Sequence, residues 1–124
     1  MNVVDSSGWL EYFADAPNAG FFAPAIRSVS ELVVPTISLY EVFRRILRQG
    51  SEDEALRAVG FMMQGSVADL TPAIALSAAG LSLQLKLPMA DSIMLATAQA
   101  HNAMFWTQDS DFEDVPGVKY VRKE

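Results

Sequence analysis

Four carboxylates occupy positions where a small α/β domain would carry chemistry: Asp5, Glu41, Asp91 and Asp109. Each lies at the boundary of a predicted element or on a helix that is otherwise built of apolar residues. Isolated acids are costly to bury, and four that converge would repel one another. A divalent cation removes that penalty, and carboxylate oxygens are the hard ligands that Mg²⁺ and Mn²⁺ prefer. The pattern therefore predicts a site for Mg²⁺ or Mn²⁺.

The elements that must position these acids alternate between strands and helices. The strands are predicted at residues 2–5, 32–34, 66–70, 104–106 and 118–121. The helices are predicted at residues 6–13, 19–29, 36–50, 51–65, 71–86 and 88–102. Such alternation indicates an α/β fold in which helices flank a central, mostly parallel sheet of about five strands. Ligand sites in such sheets form at the carboxyl ends of the strands, so Asp5 and Asp109 are expected at one end.

Composition limits the class of protein further. The chain has 124 residues, of which 51% are hydrophobic, so we expect residues 1–124 to form a single domain with a true core. It has no cysteine, which excludes disulfides, zinc–thiolate sites and thiol catalysis and is compatible with the cytoplasm. The start of the chain lacks a basic region and a long apolar run, and later apolar runs are too short for a bilayer, so no signal peptide or membrane segment is expected.

The charge of the chain gives a mixed indication about nucleic acid. The net charge is −6, which by itself argues against a protein that binds phosphates. Three of the nine basic residues nevertheless fall within five positions, Arg44, Arg45 and Arg48, on the same predicted helix face as Glu41. Taken alone, this stripe is a solvated face with weak Glu–Arg pairs. Beside a metal ion, it becomes one ligand followed by a track that binds phosphates.

The other acids also have ordinary structural interpretations. Asp5 is suited to cap the helix that follows it, and Asp91 to compensate the dipole of a largely apolar helix that begins at Pro88. Asp109 and Asp111 are typical of a turn. No single acid therefore establishes a site, and only the four acids together indicate one.

Four short motifs resemble those of PIN domains, notably the VapC toxins of prokaryotic toxin–antitoxin pairs. They are Val-Val-Asp-Ser-Ser-Gly-Trp-Leu at 3–10, Ser-Leu-Tyr-Glu-Val at 38–42, Leu-Pro-Met-Ala-Asp-Ser-Ile-Met-Leu-Ala-Thr-Ala at 87–98 and Thr-Gln-Asp-Ser-Asp-Phe at 107–112. The match runs in order from residue 3 to residue 121. Each motif is weak by itself, but four in register are specific.

The resemblance implies a PIN fold and a metal-dependent endoribonuclease that hydrolyses RNA phosphodiester bonds. It implies Asp5, Glu41, Asp91 and Asp109 as the catalytic metal quartet, with Asp5 and Asp91 as the firmest ligands. The auxiliary residues that it implies are Ser6, Thr107 and Asp111. Basic residues are few, so Arg44, Arg45 and Arg48 would carry much of the RNA binding.

The resemblance also implies partners. A small VapB-like antitoxin would place a segment in an apolar groove and reach toward the acids, and the toxin would form a homodimer. The candidates for the groove are the aromatic residues Trp9, Phe13, Phe21 and Phe22, although the ordinary core is the favoured place for Trp9 and Phe13.

Other functions compete with this hypothesis. A phosphorylatable receiver domain would need a second acid after Asp5 and a suitably placed late lysine, and a haloacid-dehalogenase-type phosphatase would need an acid at Ser7. The remaining alternative is a PIN scaffold that binds proteins and has little or no nuclease activity. A nuclease that also cuts DNA stays open, because carboxylate-bound metal does not distinguish the sugar.

Overall fold

The computed structural model describes residues 1–124 as five short strands and six α-helices joined by turns and loops. The strands are β1 (Asn2–Val4), β2 (Val33–Pro35), β3 (Ser66–Ala68), β4 (Met104–Thr107) and β5 (Val118–Tyr120). The helices are α1 (Ser6–Phe13), α2 (Ala19–Arg27), α3 (Thr36–Gln49), α4 (Glu52–Met62), α5 (Pro72–Leu85) and α6 (Met89–Ala100). Each predicted strand and helix is therefore confirmed. The largest difference is at the end of α4, which stops at Met62 instead of near residue 65.

All strand pairings are parallel, as predicted for an α/β fold. β4 lies between β1 and β5, and β2 pairs with β3. A single parallel bridge between Asn2 and Leu32 connects the two groups, so the spatial order is β3-β2-β1-β4-β5. After β1 the chain continues to β2 on one side, and after β4 it continues to β5 on the other side. The carboxyl ends of β1 and β4 lie at this change of direction, which is where ligands bind in open α/β sheets.

Alternate strand residues fill two core layers, one on each face of the sheet. Val4 and Trp106 belong to the layer that packs under α1 and α2, whereas Val3 and Phe105 belong to the layer that packs under α6. This is the period of two expected for strands that are buried on both faces. The helices therefore cover the sheet on both sides and leave its carboxyl edge free.

Helix α1 lies unusually close to this core. A Cβ atom on Gly8 would meet the Phe22 ring at 2.6 Å and a Val4 methyl at 2.8 Å, so only glycine allows the approach. Trp9 and Phe22 are 1% and 0% exposed and belong to the core. The prediction that Phe22 lines a groove is therefore wrong, whereas Trp9 takes the place in the core that the sequence favours for it.

None of the helices is by itself long and apolar enough to cross a membrane. Only α5 and α6 taken together reach that length and composition, and the pair is bent by 118°.

Candidate active site

Three of the four predicted acids converge at the carboxyl edge of the sheet. Asp5 follows β1 directly, Asp109 follows β4 and Asp91 lies in the first turn of α6. One carboxylate oxygen from each lies within 4.8 Å of the others. Asp5 is only 4% exposed, and the other two are half-buried. Three oxygen donors from three separate elements thus meet at one point.

Glu41, on the second turn of α3, stands beside this cluster. The Ser6 hydroxyl donates a hydrogen bond of 2.8 Å to Glu41 Oε1 and also contacts Met94 Sδ at 3.4 Å. The charge of Glu41 is close enough to raise the pKa values of Asp5 and Asp91. The structure therefore brings the fourth acid to the same edge, outside the tight group of three, with Ser6 holding its carboxylate.

The buried Thr107 connects two of the clustered acids. Its Oγ1 donates to Asp5 Oδ2 at 2.7 Å and accepts from the backbone N–H of Asp109 at 3.0 Å. The Ser7 hydroxyl donates to the same Asp5 oxygen at 3.3 Å. The backbone N–H of the exposed Asp111 donates to Asp109 Oδ1 at 2.9 Å and fixes the turn. These contacts set the orientation of the Asp5 and Asp109 carboxylates.

Burial and mutual repulsion make two of these acids unusually weak. The pKa of Asp5 is raised from 3.8 to about 6. Burial is the main cause, and the charges of Asp109 and Glu41 add to it, whereas the hydrogen bond from Thr107 lowers the pKa. Burial and the carboxylates of Asp5, Asp109 and Glu41 raise the pKa of Asp91 to about 7. The charges that raise these pKa values are all negative. Such a donor set fits a divalent cation, since the cation relieves the repulsion and oxygen is its preferred ligand.

An open groove of about 1550 Å³ contains all four acids. Of the predicted RNA-binding residues, Arg44 and Arg45 line it, and the exposed Arg48 does not. Three basic residues that the sequence did not indicate also line the groove, namely Arg57, Arg122 and Lys123. Arg57 comes from α4 and the other two follow β5, so no local motif connects them to an acid. Only the tertiary fold brings them to the site.

The apolar part of the groove is formed by aromatic side chains of α1 and α4. Phe13 lines it together with Tyr12 and Phe61, although it also packs partly against the core, the place that the sequence favours for it. The rings of Tyr12 and Phe61 are stacked with centroids 6.2 Å apart, and Phe13 meets Phe61 edge-on at 5.8 Å. Phe21 instead packs against Trp106 at 5.3 Å and is not among the lining residues, so its predicted place in the groove is wrong.

A parallel α/β sheet with acids converging at its carboxyl edge is the arrangement of a class of nuclease domains. The family model described as "PIN domain" matches residues 3–118, and the chain belongs to the PIN domain family. No curated protein sequence matches the chain.

Several solved structures of VapC-type proteins share this fold. A toxin–antitoxin complex from Klebsiella pneumoniae is 23% identical, with a TM-score of 0.79 and 96% of each chain covered. VapC20 from Mycobacterium tuberculosis, described as a sarcin–ricin loop cleaving toxin, is 15% identical, with a TM-score of 0.76, 94% of this chain and 95% of that chain covered. DNA-bound VapBC from Salmonella typhimurium is 16% identical, with a TM-score of 0.74 and 98% of each chain covered. The predicted resemblance to VapC-type PIN domains is confirmed at the level of fold.

Proposed function

We propose that the protein is a divalent-metal-dependent endoribonuclease and the toxin of a VapBC-type pair. The observation that carries this proposal is the convergence of Asp5, Asp91 and Asp109 within 4.8 Å at the carboxyl edge of the sheet. Acids that are buried together without a cation destabilise the folded state, so their convergence here is best explained by a bound cation. The match to the PIN domain family over residues 3–118 supports the nuclease class and a single domain over residues 1–124.

In this proposal, Asp5, Asp91 and Asp109 hold the cation, and Glu41 acts at the edge of the same site. Mg²⁺ or Mn²⁺, when bound, supplies positive charge that favours deprotonation of water and stabilises the charge on the phosphate being cut. Thr107 keeps the Asp5 carboxylate in one orientation through its 2.7 Å hydrogen bond. In this proposal, the half-buried carboxylate of Asp109 has a second role besides holding the cation, in which it accepts the proton of the attacking water.

RNA is the proposed substrate. One structural neighbour is described as a sarcin–ricin loop cleaving toxin, and Arg44 and Arg45 line the groove beside the acids in this chain. A guanidinium group binds phosphate oxygens in pairs, so these side chains are suited to hold the backbone next to the scissile bond. We propose that the protein acts in the cytoplasm, where such RNA is found.

A VapB-like antitoxin is the proposed regulatory partner, since structural neighbours include VapBC complexes. The apolar part of the groove, with Tyr12, Phe13 and Phe61, lies next to the acids. An antitoxin segment in that place would contact the aromatic rings and block access to the site.

We further propose a homodimer that forms through α5. Leu76 and Leu83 are 77% and 86% exposed, and they lie seven residues apart on one face of the helix. No charged residue occurs from Thr71 to Leu85. Two copies of a chain with a net charge of −6 can therefore bring this face together without local repulsion, in the self-complementary way that a two-fold axis requires.

The test is cleavage of defined RNAs by the purified protein, freed of any partner, in Mg²⁺, Mn²⁺ or EDTA. We expect cutting that requires the metal and is lost in Asp91→Asn. The matched control is Asp114→Asn, which removes the same charge from an exposed acid outside the groove and should leave cutting unchanged. Folded protein that binds the metal but cuts no RNA would favour the protein-binding alternative, and parallel DNA substrates measure the selectivity for RNA.

A further inference from the structure

The segment of residues 121–123 that follows β5, termed here the post-β5 segment, contributes its two basic side chains to the groove. Arg122 and Lys123 are exposed and line it. Arg44, Arg45 and Arg57 line the same groove from α3 and α4. Five of the nine basic residues of an acidic chain thus border one groove. They come from opposite sides of β1 and β4, because α3 and α4 follow β2 and the post-β5 segment follows β5.

Specific hydrogen bonds hold the backbone of the post-β5 segment. The backbone N–H of Val121 donates to the carbonyl of Thr107 at 3.1 Å. The side-chain amide of the buried Asn18 donates to the carbonyl of Arg122 at 3.1 Å and to Gln108 Oε1 at 2.9 Å. The segment is therefore fastened to the loop between Thr107 and Asp109 that carries one of the candidate metal ligands.

The side chain of Asn18 bonds Arg122 and Gln108 instead of capping a helix. It is the N-cap residue of α2, where an asparagine side chain normally accepts from the first helical N–H groups, but it makes no such bond here. A small polar network holds it instead, because the Glu11 carboxylate accepts from the Asn18 backbone N–H at 2.9 Å and from Gln108 Nε2 at 3.2 Å. Buried networks of this kind fix one arrangement of the groups that they join.

The charges in the groove are arranged by depth. The four acids of the site are buried or half-buried, whereas all five basic side chains are exposed. One exposed acid, Glu54, also lines the groove, so five basic side chains outweigh one acid among its exposed charges. A polyanion that approaches the groove therefore meets a net positive charge first, and only the phosphate opposite the cluster of acids needs a metal ion. A single row of arginines on α3 would hold the strand on one side, and a second wall is needed to align it across the acids.

We propose that the post-β5 segment is an RNA-binding wall, in which Arg122 and Lys123 bind backbone phosphates that flank the scissile one and Asn18 positions them. This inference rests on the proposed RNA substrate but not on the metal or on catalysis. It is tested by the anisotropy of a short, end-labelled single-stranded RNA of mixed sequence, titrated with the full chain in EDTA so that nothing is cut.

The first comparison uses two double variants with the same charge. We expect Arg122→Gln/Lys123→Gln to weaken RNA binding by about tenfold and to reduce the slope of log K against log salt by about 1.4, because each single-strand phosphate contact contributes about 0.7. The control, Arg27→Gln/Lys86→Gln, changes two exposed basic residues that do not line the groove. Its affinity should stay within about twofold of the wild type, since distant exposed charges are screened.

The second comparison tests the role of Asn18. Asn18→Ala changes no charge, yet it should weaken RNA binding several-fold in protein that circular dichroism shows to be folded. Arg122→Gln/Lys123→Gln should reduce RNA affinity less in the Asn18→Ala background than in the wild type, because the effects of substitutions at coupled residues do not add. A merely structural loss would be additive with the charge changes.

The outcomes separate this proposal from the proposed nuclease. Equal losses of RNA affinity in the two double variants, or no RNA binding by the wild type, would refute the proposed RNA-binding wall. So would a variant that loses affinity for poly-L-glutamate and keeps it for RNA, because the wall would then recognise an acidic polypeptide. A wild-type protein that binds RNA through these residues but cuts nothing in Mn²⁺ would keep the wall and reject the nuclease.

Discussion

We expect Asp91→Asn to make the metal-free protein more stable above neutral pH. The pKa of Asp91 is about 7 in the folded protein and near 3.8 in the unfolded chain. Between pH 3.8 and about pH 7, Asp91 is therefore protonated in the native state and ionised in the unfolded state. The free energy of unfolding falls as the pH rises through this range. Asparagine is neutral throughout, so the variant avoids the cost at pH 8 and shows little advantage below pH 4.

The size of this effect follows from the change in pKa. The difference between 3.8 and about 7 corresponds to roughly 4 kcal/mol at 1.36 kcal/mol per pH unit. Because the carboxyl group is only half-buried and water screens it, we expect about 1–2 kcal/mol. With an unfolding entropy of about 2.1 cal/mol/K per residue, the melting temperature of a chain of this length should rise by roughly 4–8 °C at pH 8.

The assay is thermal unfolding followed by circular dichroism in EDTA from pH 4 to pH 8, with Asp114→Asn as the control of equal charge. The wild type should lose stability over this range, and Asp91→Asn should lose less of it. If Asp91→Asn and Asp114→Asn give the same profile, the carboxylates do not repel one another in the folded protein. The reasoning that assigns them a cation would then fail.

Three further predictions concern the metal, the core and the dimer. Thr107→Val removes the hydroxyl that orients Asp5 and should weaken Mn²⁺ binding by about 10–100-fold in calorimetry, and unchanged affinity would contradict this role. Gly8→Ala should destabilise the protein by about 1–3 kcal/mol in urea unfolding, because the new methyl overlaps the core. Its control, Gly60→Ala, has nothing within 4 Å and should stabilise α4 by up to about 1 kcal/mol. Leu83→Lys should convert a dimer to a monomer in light scattering while circular dichroism shows it to be folded, and a variant that stays dimeric would exclude the α5 face.

The acids could be found from the sequence because each lies within a few residues of the element that positions it. Asp5 follows a short apolar run, and Asp91 follows a proline that begins a helix, so local patterns place both. Arg57 and Arg122 could not be found in this way. They reach the groove through the packing of α4 and through hydrogen bonds from a residue more than a hundred positions away, which no local pattern records.

The aromatic residues of α1 show where periodicity fails. Trp9, Tyr12 and Phe13 surround a helix of eight residues that is apolar on more than one side. The sequence therefore indicates neither which ring enters the core nor which remains at the groove. In the structure, Gly8 lets α1 approach Phe22 and Val4 closely. Trp9 stacks on Phe13 at 5.8 Å and meets Phe61 edge-on at 6.4 Å, so these rings cover it. Tyr12 and Phe13 remain partly exposed above the core.

The single backbone bridge between Asn2 and Leu32 divides the sheet into two halves that differ in what they carry. Asp5 and Asp109 lie at the ends of β1 and β4 in one half, whereas Glu41 lies on α3, which follows β2 in the other half. The hydroxyl of Ser6, on the helix that follows β1, donates to Glu41 at 2.8 Å and so connects the two halves at the site. Loss of that hydroxyl would remove a direct link between Glu41 and the half that carries Asp5 and Asp109.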